Sequence, residues 1–151
     1  MEKWLNVSGH IDPSATQTHI TYTFPILEPS SMIRIEFNYT PKTLTNTHQA
    51  KDIIESAMLK YGYSDPQVQD WQKYAPLQNL ITLSIDDPHI HRGQAHRQDP
   101  QQTHFLSADH ASPGFWKGAN PVGQWKVTLS IHSIVTPECD YQLEVWGDRQ
   151  K

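Results

Sequence analysis

One stretch near the C-terminal end of the chain, from Ser112 to His132, limits the possible folds more than any other. Its first half holds three glycines and two prolines, which predicts a turn-rich loop. After this loop, apolar residues alternate with polar ones, and a period of two is typical of a strand with one buried face. The apolar positions are Trp125, Val127, Leu129 and Ile131, and between them lie Lys126, Thr128, Ser130 and His132.

The same alternation recurs in shorter segments along the chain. It predicts strands at about 17–24, 32–39, 78–86 and 103–107, and a further one from Tyr141 to Trp146. Residues 1–16 contain Gly9 and Pro13, and we expect them to form a polar, turn-prone loop. Each predicted strand has one polar face, which disfavours a parallel sheet buried on both sides. We therefore predict an all-β chain that folds as an antiparallel, jelly-roll-like β-sandwich.

A different period appears between residues 46 and 75, where we predict a helical insertion. Apolar residues there follow the i, i+3, i+4, i+7 spacing of one helix face, at Ala50, Ile53, Ile54, Ala57, Met58 and Tyr61. Asn46 or Thr47 can cap the start of this helix, and Gly62 is suited to end it. A short second helix is expected at 66–74, around Val68 and Trp71.

Length and charge exclude several classes of function. At 151 residues we expect one domain, spanning residues 1–151. The net charge is -4 and the chain has no Lys/Arg run, so we expect no nucleic-acid partner. No apolar run approaches the ~20 residues of a membrane span, and the first residues lack the apolar core of a signal peptide. With the single cysteine, Cys139, these features favour a cytoplasmic protein without membrane contact.

Four segments carry a resemblance to a known family. Residues 111–131, Ile85-Asp-Asp-Pro-His-Ile-His-Arg-Gly, Ser107-Ala-Asp-His-Ala-Ser-Pro-Gly and Tyr141-Gln-Leu-Glu-Val stand in the same order in it. In these segments the chain resembles the small N-terminal β-sandwich of CehA/McbA-type PHP-domain phosphoesterases, over about 17–147. The resemblance implies a non-catalytic accessory or binding domain, because the metal ligands of that family lie in a barrel that these residues do not match. It also implies a PHP-type hydrolase, or another protein, as the partner.

The polar segment at 86–110 supports an alternative function. Imidazole and carboxylate groups are ligands for Zn or Mn, and the candidates are Asp86, Asp87, His89, His91 and His96. His104 and His110 enlarge the cluster. The alternative is a small metal-dependent phosphoesterase, but a strand-end loop also takes such a composition without binding a metal. Our primary expectation is that the protein has no catalytic residue, no metal and no cofactor, and that it is not an enzyme.

The loop before the Trp125 strand supplies candidate contacts for a ligand or partner. Aromatic residues on the loops of a sandwich stack on sugar rings or anchor a protein, so Trp116 is the first candidate. Arg92 and His110 are the polar candidates, and the expected ligand is a carbohydrate or a partner protein. Phe115 is expected to close the end of the core instead. Asp109, His110 and Ser112 are too close in sequence to supply the geometry of a catalytic triad.

Overall fold

The computed structural model describes residues 1–63, 70–95 and 99–148, which form two four-stranded antiparallel sheets. The strands are β1 (Glu2–Ile11), β2 (Thr18–Ile26), β3 (Met32–Thr40), β4 (Leu80–Asp86), β5 (His91–Ala95), β6 (Gln101–Ser107), β7 (Gly123–Ser133) and β8 (Cys139–Gly147). One sheet has the order β1-β8-β3-β6 and the other β2-β7-β4-β5. The predicted antiparallel β-sandwich is therefore confirmed.

Alternation along β7 builds the core as the sequence predicts. Trp125, Val127, Leu129 and Ile131 are buried, while the residues between them lie on the outer face. Trp125 stacks on Phe24 of the neighbouring β2, with ring centroids 6.2 Å apart. The inward residues of β3 and β8, in the other sheet, belong to the same core cluster. Burial of these aromatic and aliphatic side chains supplies the main driving force for the fold.

The prediction of a loop at residues 1–16 was wrong, because β1 occupies most of that range. β1 pairs with β8, and two glycines of this pair lie beneath aromatic rings. A Cβ atom on Gly9 would overlap the ring of Tyr141, and one on Gly147 would overlap that of Trp4. Gly9 therefore marks a close approach of ring and backbone and not a turn.

The polar segment 87–102 also contains strand structure that the sequence pattern did not predict. β5 forms the edge of its sheet beside β4, and β6 begins at Gln101, two residues before the predicted start. The pairing of β4 with β5 shifts at Ile85 and Asp86, which leaves Arg92 as an extra residue opposite them. Such a bulge redirects a side chain, and here it turns a charged group inward.

The first helix of the predicted insertion is confirmed, and it starts and ends where the sequence predicts. Helix α1 runs from Thr47 to Lys60; the Asn46 side chain accepts a hydrogen bond from the Gln49 N–H, and Gly62 follows the last turn with φ of 84°. The buried stripe is narrower than predicted, since only Ala50, Ile54 and Met58 are buried. A 3-10 helix at Trp71–Tyr74 lies within the second predicted helix, and residues 66–69 of that prediction lie outside the described residues.

Strand directions divide the loops between two ends of the sandwich. Connections 27–31, 87–90 and 108–122 meet at one end, which we call the tip. Connections 12–17, 41–63, 70–79 and 134–138 lie at the opposite end, the base, where α1 and Trp71 pack in a second small cluster with Val135. In the described ranges, no helix is long and apolar enough to cross a membrane.

Candidate functional site

A buried arginine, Arg92 on β5, connects β5 to the 108–122 loop of the tip. The Arg92 side chain is 1% exposed, and its guanidinium donates hydrogen bonds to three backbone carbonyls of the 108–122 loop. The acceptors are Trp116 O at 3.0 Å from Nε, Gly118 O at 3.0 Å from Nη2 and Ala119 O at 2.9 Å from Nη1. The guanidinium also lies over the Trp125 ring, 5.5 Å from its centroid. Arg92 was predicted to contact a ligand, and the structure places it behind the loop, with its donors turned to these internal acceptors.

Asp87 fixes the neighbouring loop of the tip. Its Oδ1 accepts hydrogen bonds from the backbone N–H groups of His89 and Ile90, both at 2.7 Å. Its Oδ2 lies 3.3 Å from Arg92 Nη1, and this side chain is only 5% exposed. Both carboxylate oxygens therefore already accept hydrogen bonds within the tip.

The other histidine and carboxylate candidates do not come together as one metal site. Asp86 and His91 form an exposed pair, with Oδ1 and Nδ1 2.7 Å apart, and His89 is exposed on the 87–90 loop. His104 is buried, where its Nε2 lies 2.8 Å from Gln102 Oε1 and its ring lies against Phe115. His96 lies outside the described residues. Within residues 1–63, 70–95 and 99–148, no three His, Cys, Asp or Glu side chains are arranged to hold a metal ion.

Trp116 is the most prominent side chain of the tip. It is 60% exposed, although its backbone is fixed by the N–H bond to Arg92 O at 2.9 Å and by the Arg92 side chain. Its ring stands nearly perpendicular to that of His91, with centroids 6.2 Å apart. Phe115, the neighbouring residue, is buried in the core, as predicted. Adjacent aromatics thus point in opposite directions, one closing the core and one facing solvent.

A hollow of about 470 Å³ lies beside Trp116. Its walls are Asp109, His110, Ala111, Phe115, Trp116 and Lys117. Ser107 shapes this wall, because its Oγ donates to Asp109 Oδ1 and accepts from the His110 N–H. Ser112 Oγ accepts a hydrogen bond from the Phe105 N–H at 2.8 Å, so this hydroxyl serves the backbone of the loop.

A second hollow, of about 510 Å³, lies on the other side of Asp109. Its lining comes from the 27–31 loop and from Ala108, Asp109, Ala119, Asn120 and Pro121. Asn120 is buried and donates from Nδ2 to Leu106 O, and it forms a β-bridge with Ser30. Asp109 lines both hollows, so they are adjacent at this residue, and we call the two hollows together the tip groove. Sequence analysis missed Asn120 and the second hollow, since no local pattern joins residue 30 to residue 120.

Asp148, the residue after β8, fixes the end of the 27–31 loop by hydrogen bonds. Its carboxylate accepts hydrogen bonds from the Ser31 hydroxyl, the Ser30 hydroxyl and the backbone N–H groups of Ser31 and Met32. These donors, the Ser31 hydroxyl above all, lower the pKa of Asp148. Hydrogen bonds to the ionised form favour it, so the charged carboxylate stabilises this side of the groove.

The tip loops also carry exposed apolar side chains that were not recognised in the sequence. Leu27, Ile90 and Val122 are exposed on the three tip loops. Val122 adjoins Gly123, which faces Pro88 of the 87–90 loop and pairs with Ile26.

Comparisons with known proteins add no function. Neither a protein-family model nor a curated protein matches the chain. Among solved structures, the chain is similar to a protein from Sulfurospirillum deleyianum. That likeness covers 97% of this chain and 99% of the other, with 9% sequence identity and a TM-score of 0.32. A likeness at this level bears on neither the fold nor the function.

Proposed function

We propose that this protein is a non-catalytic binding domain that recognises its ligand or partner through the tip. The observation that carries the proposal is the exposed Trp116 ring on a loop anchored by the buried Arg92. An exposed aromatic ring on a fixed backbone loses little conformational entropy on binding, which is why such residues dominate recognition surfaces. The tip is thus a preformed surface and not a loose loop.

The resemblance to CehA/McbA-type PHP phosphoesterases suggests the biological setting. In that setting the protein is an accessory domain that associates with a PHP-type hydrolase or another protein. The strand order β1-β8-β3-β6 against β2-β7-β4-β5 supports a jelly-roll arrangement of two Greek keys. The buried Cys139 fits a cytoplasmic location, and the net charge of -4 disfavours nucleic acid as a partner.

A retention experiment tests the proposal. The purified domain is immobilised and exposed to the PHP-type hydrolase barrel encoded nearest to its own reading frame, and separately to a glycan array. Trp116→Ala should abolish retention, whereas Tyr61→Ala should not, because Tyr61 is 75% exposed but lies on the helical insertion at the base. Equal retention by wild type and Trp116→Ala would refute the role of the tip.

Elemental analysis of the same preparation tests the metal-dependent alternative. Zinc or manganese in stoichiometric amount, together with phosphoesterase turnover that His89→Ala and His91→Ala abolish, would replace the binding proposal with the hydrolase. Turnover without metal would contradict both. The carboxylate of Asp87, already bonded to two N–H groups and Arg92, argues against the metal outcome.

A further inference from the structure

We infer that the tip groove binds a neutral saccharide, with one sugar ring stacked on Trp116 and its hydroxyl groups directed to Asp109. This inference rests on the proposed function and names the class of ligand that the same surface takes. It follows from three properties of the groove: its aromatic face, its polar wall and its charge.

The aromatic face is provided by Trp116. One side of a pyranose ring presents C–H groups, whose partial positive charge is attracted to the negative face of an aromatic ring. An aromatic side chain that is 60% exposed, with its backbone fixed from behind, offers such a face to solvent. The His91 ring touches Trp116 edge to face, which limits how far the indole can turn.

The polar wall stands next to this face. Asp109 and His110 line the same hollow as Trp116, and their positions are set by the Ser107 hydroxyl. A carboxylate accepts hydrogen bonds and an imidazole can accept or donate one, so both suit the hydroxyl groups at the rim of a sugar ring. An apolar surface beside a few fixed polar groups is the usual composition of a small-ligand site.

The charge of the groove selects a neutral ligand. Asp109 and Lys117 carry opposite charges and line the first hollow together, while Asp109 is the single acidic or basic residue of the second. An anionic ligand such as a phosphate would meet the Asp109 carboxylate in either hollow, and Lys117 in the first alone. A cationic ligand stacked on the Trp116 ring would be repelled by Lys117, which lines the same hollow.

Two adjacent hollows, of about 470 and 510 Å³, offer room for more than one sugar ring. Asp109 lies at the junction of the two hollows and can contact a ligand in either. We therefore expect longer oligosaccharides to bind more tightly than monosaccharides.

The test is a titration of ¹⁵N-labelled full-length protein with cellohexaose, maltohexaose, mannohexaose and, as an anionic probe, heparin hexasaccharide. Binding of a neutral hexasaccharide should shift the Trp116 indole N–H signal and the backbone signals of Asp109 and His110. Trp116→Ala should weaken that binding roughly tenfold or more, which is typical of losing one stacking contact. Asp109→Asn should weaken it by less, and Tyr61→Ala should leave it unchanged.

Each other outcome overturns the inference in a distinguishable way. If no neutral saccharide shifts these signals while Trp116→Ala still abolishes retention of a protein partner, the ligand class is wrong and the proposed function survives. If only heparin hexasaccharide binds, the charge argument is wrong. Both proposals fail if a saccharide shifts signals outside the tip and the Trp116→Ala variant still binds this saccharide and still retains the protein partner.

Discussion

Replacing Arg92 by methionine should be among the most damaging single substitutions in the chain. Methionine keeps much of the volume of arginine but donates no hydrogen bond, so three carbonyls of the tip loop lose their donor. At about 1 kcal/mol net for each hydrogen bond, this costs about 3 kcal/mol. Asp87, whose side chain is 5% exposed, also loses its cationic partner, which adds about 1–2 kcal/mol because its two N–H donors remain. The expected total is about 4–5 kcal/mol.

Urea denaturation followed by circular dichroism measures this change as a lower midpoint at a similar slope. A loss of this size is a large part of the 5–15 kcal/mol that separates native from unfolded domains. The matched control is Arg34→Met, because Arg34 also pairs with a carboxylate and an indole but its side chain is 30% exposed. We expect less than about 1 kcal/mol for this control.

A double-mutant cycle identifies the source of the loss. Asp87→Asn keeps an oxygen for the His89 and Ile90 N–H groups but removes the charge, so it should recover about 1 kcal/mol or more in the Arg92→Met background. The reasoning fails if Arg92→Met costs no more than Arg34→Met. It also fails if the two substitutions at 87 and 92 are simply additive, since the charges would then be independent.

Three further predictions concern titratable groups. The pKa of Asp148 is lowered, so its contribution to stability is present above the unfolded value of 3.8 and is lost as pH falls through the lower folded value. The stability gap between wild type and Asp148→Asn should therefore be wide at pH 7 and narrow progressively as the pH falls below 3.8, and an unchanged gap would contradict this. The pKa of His10 is raised above 6.5 by its hydrogen bond to Asp140, and an NMR titration should find it lowered in Asp140→Asn; an identical titration in both proteins would show that the pair does not form in solution. Burial raises the pKa of the Cys139 thiol, so a thiol reagent such as DTNB should react slowly with native protein and rapidly in urea, and a fast native reaction would contradict its burial.

Strand alternation made the sandwich and most of its core predictable from sequence. Burial on one face imposes a period of two, and β7 and β8 carry that period without interruption. β1 was missed because its inward positions include Gly9, whose place in the core is filled by a ring from the neighbouring strand. β5 was missed because its buried positions include an arginine, and sequence pattern assigns arginine to the surface.

The candidate site was predictable only in part, since it depends on contacts between distant segments. The sequence indicated Trp116 as a contact and Phe115 as a core residue, but it could not show which other residues lie beside the Trp116 ring. Arg92 was predicted to contact a ligand or partner, and the sequence could not show that its donors turn inward to the loop it supports. The groove itself requires residues near 30 and near 120 to meet, and that meeting follows from strand order and not from spacing.

The two glycines under rings in the β1–β8 pair have a consequence for how this edge strand assembles. If β1 slid by two residues along β8, its side-chain faces would be preserved, yet Gly9 would leave Tyr141 and a residue with a Cβ would take its place. The displaced ring would have no room, so the shifted pairing is sterically blocked. Trp4 over Gly147 imposes the same condition near the other end of the strand. These two contacts between a ring and a glycine therefore fix the register in which β1 pairs with β8.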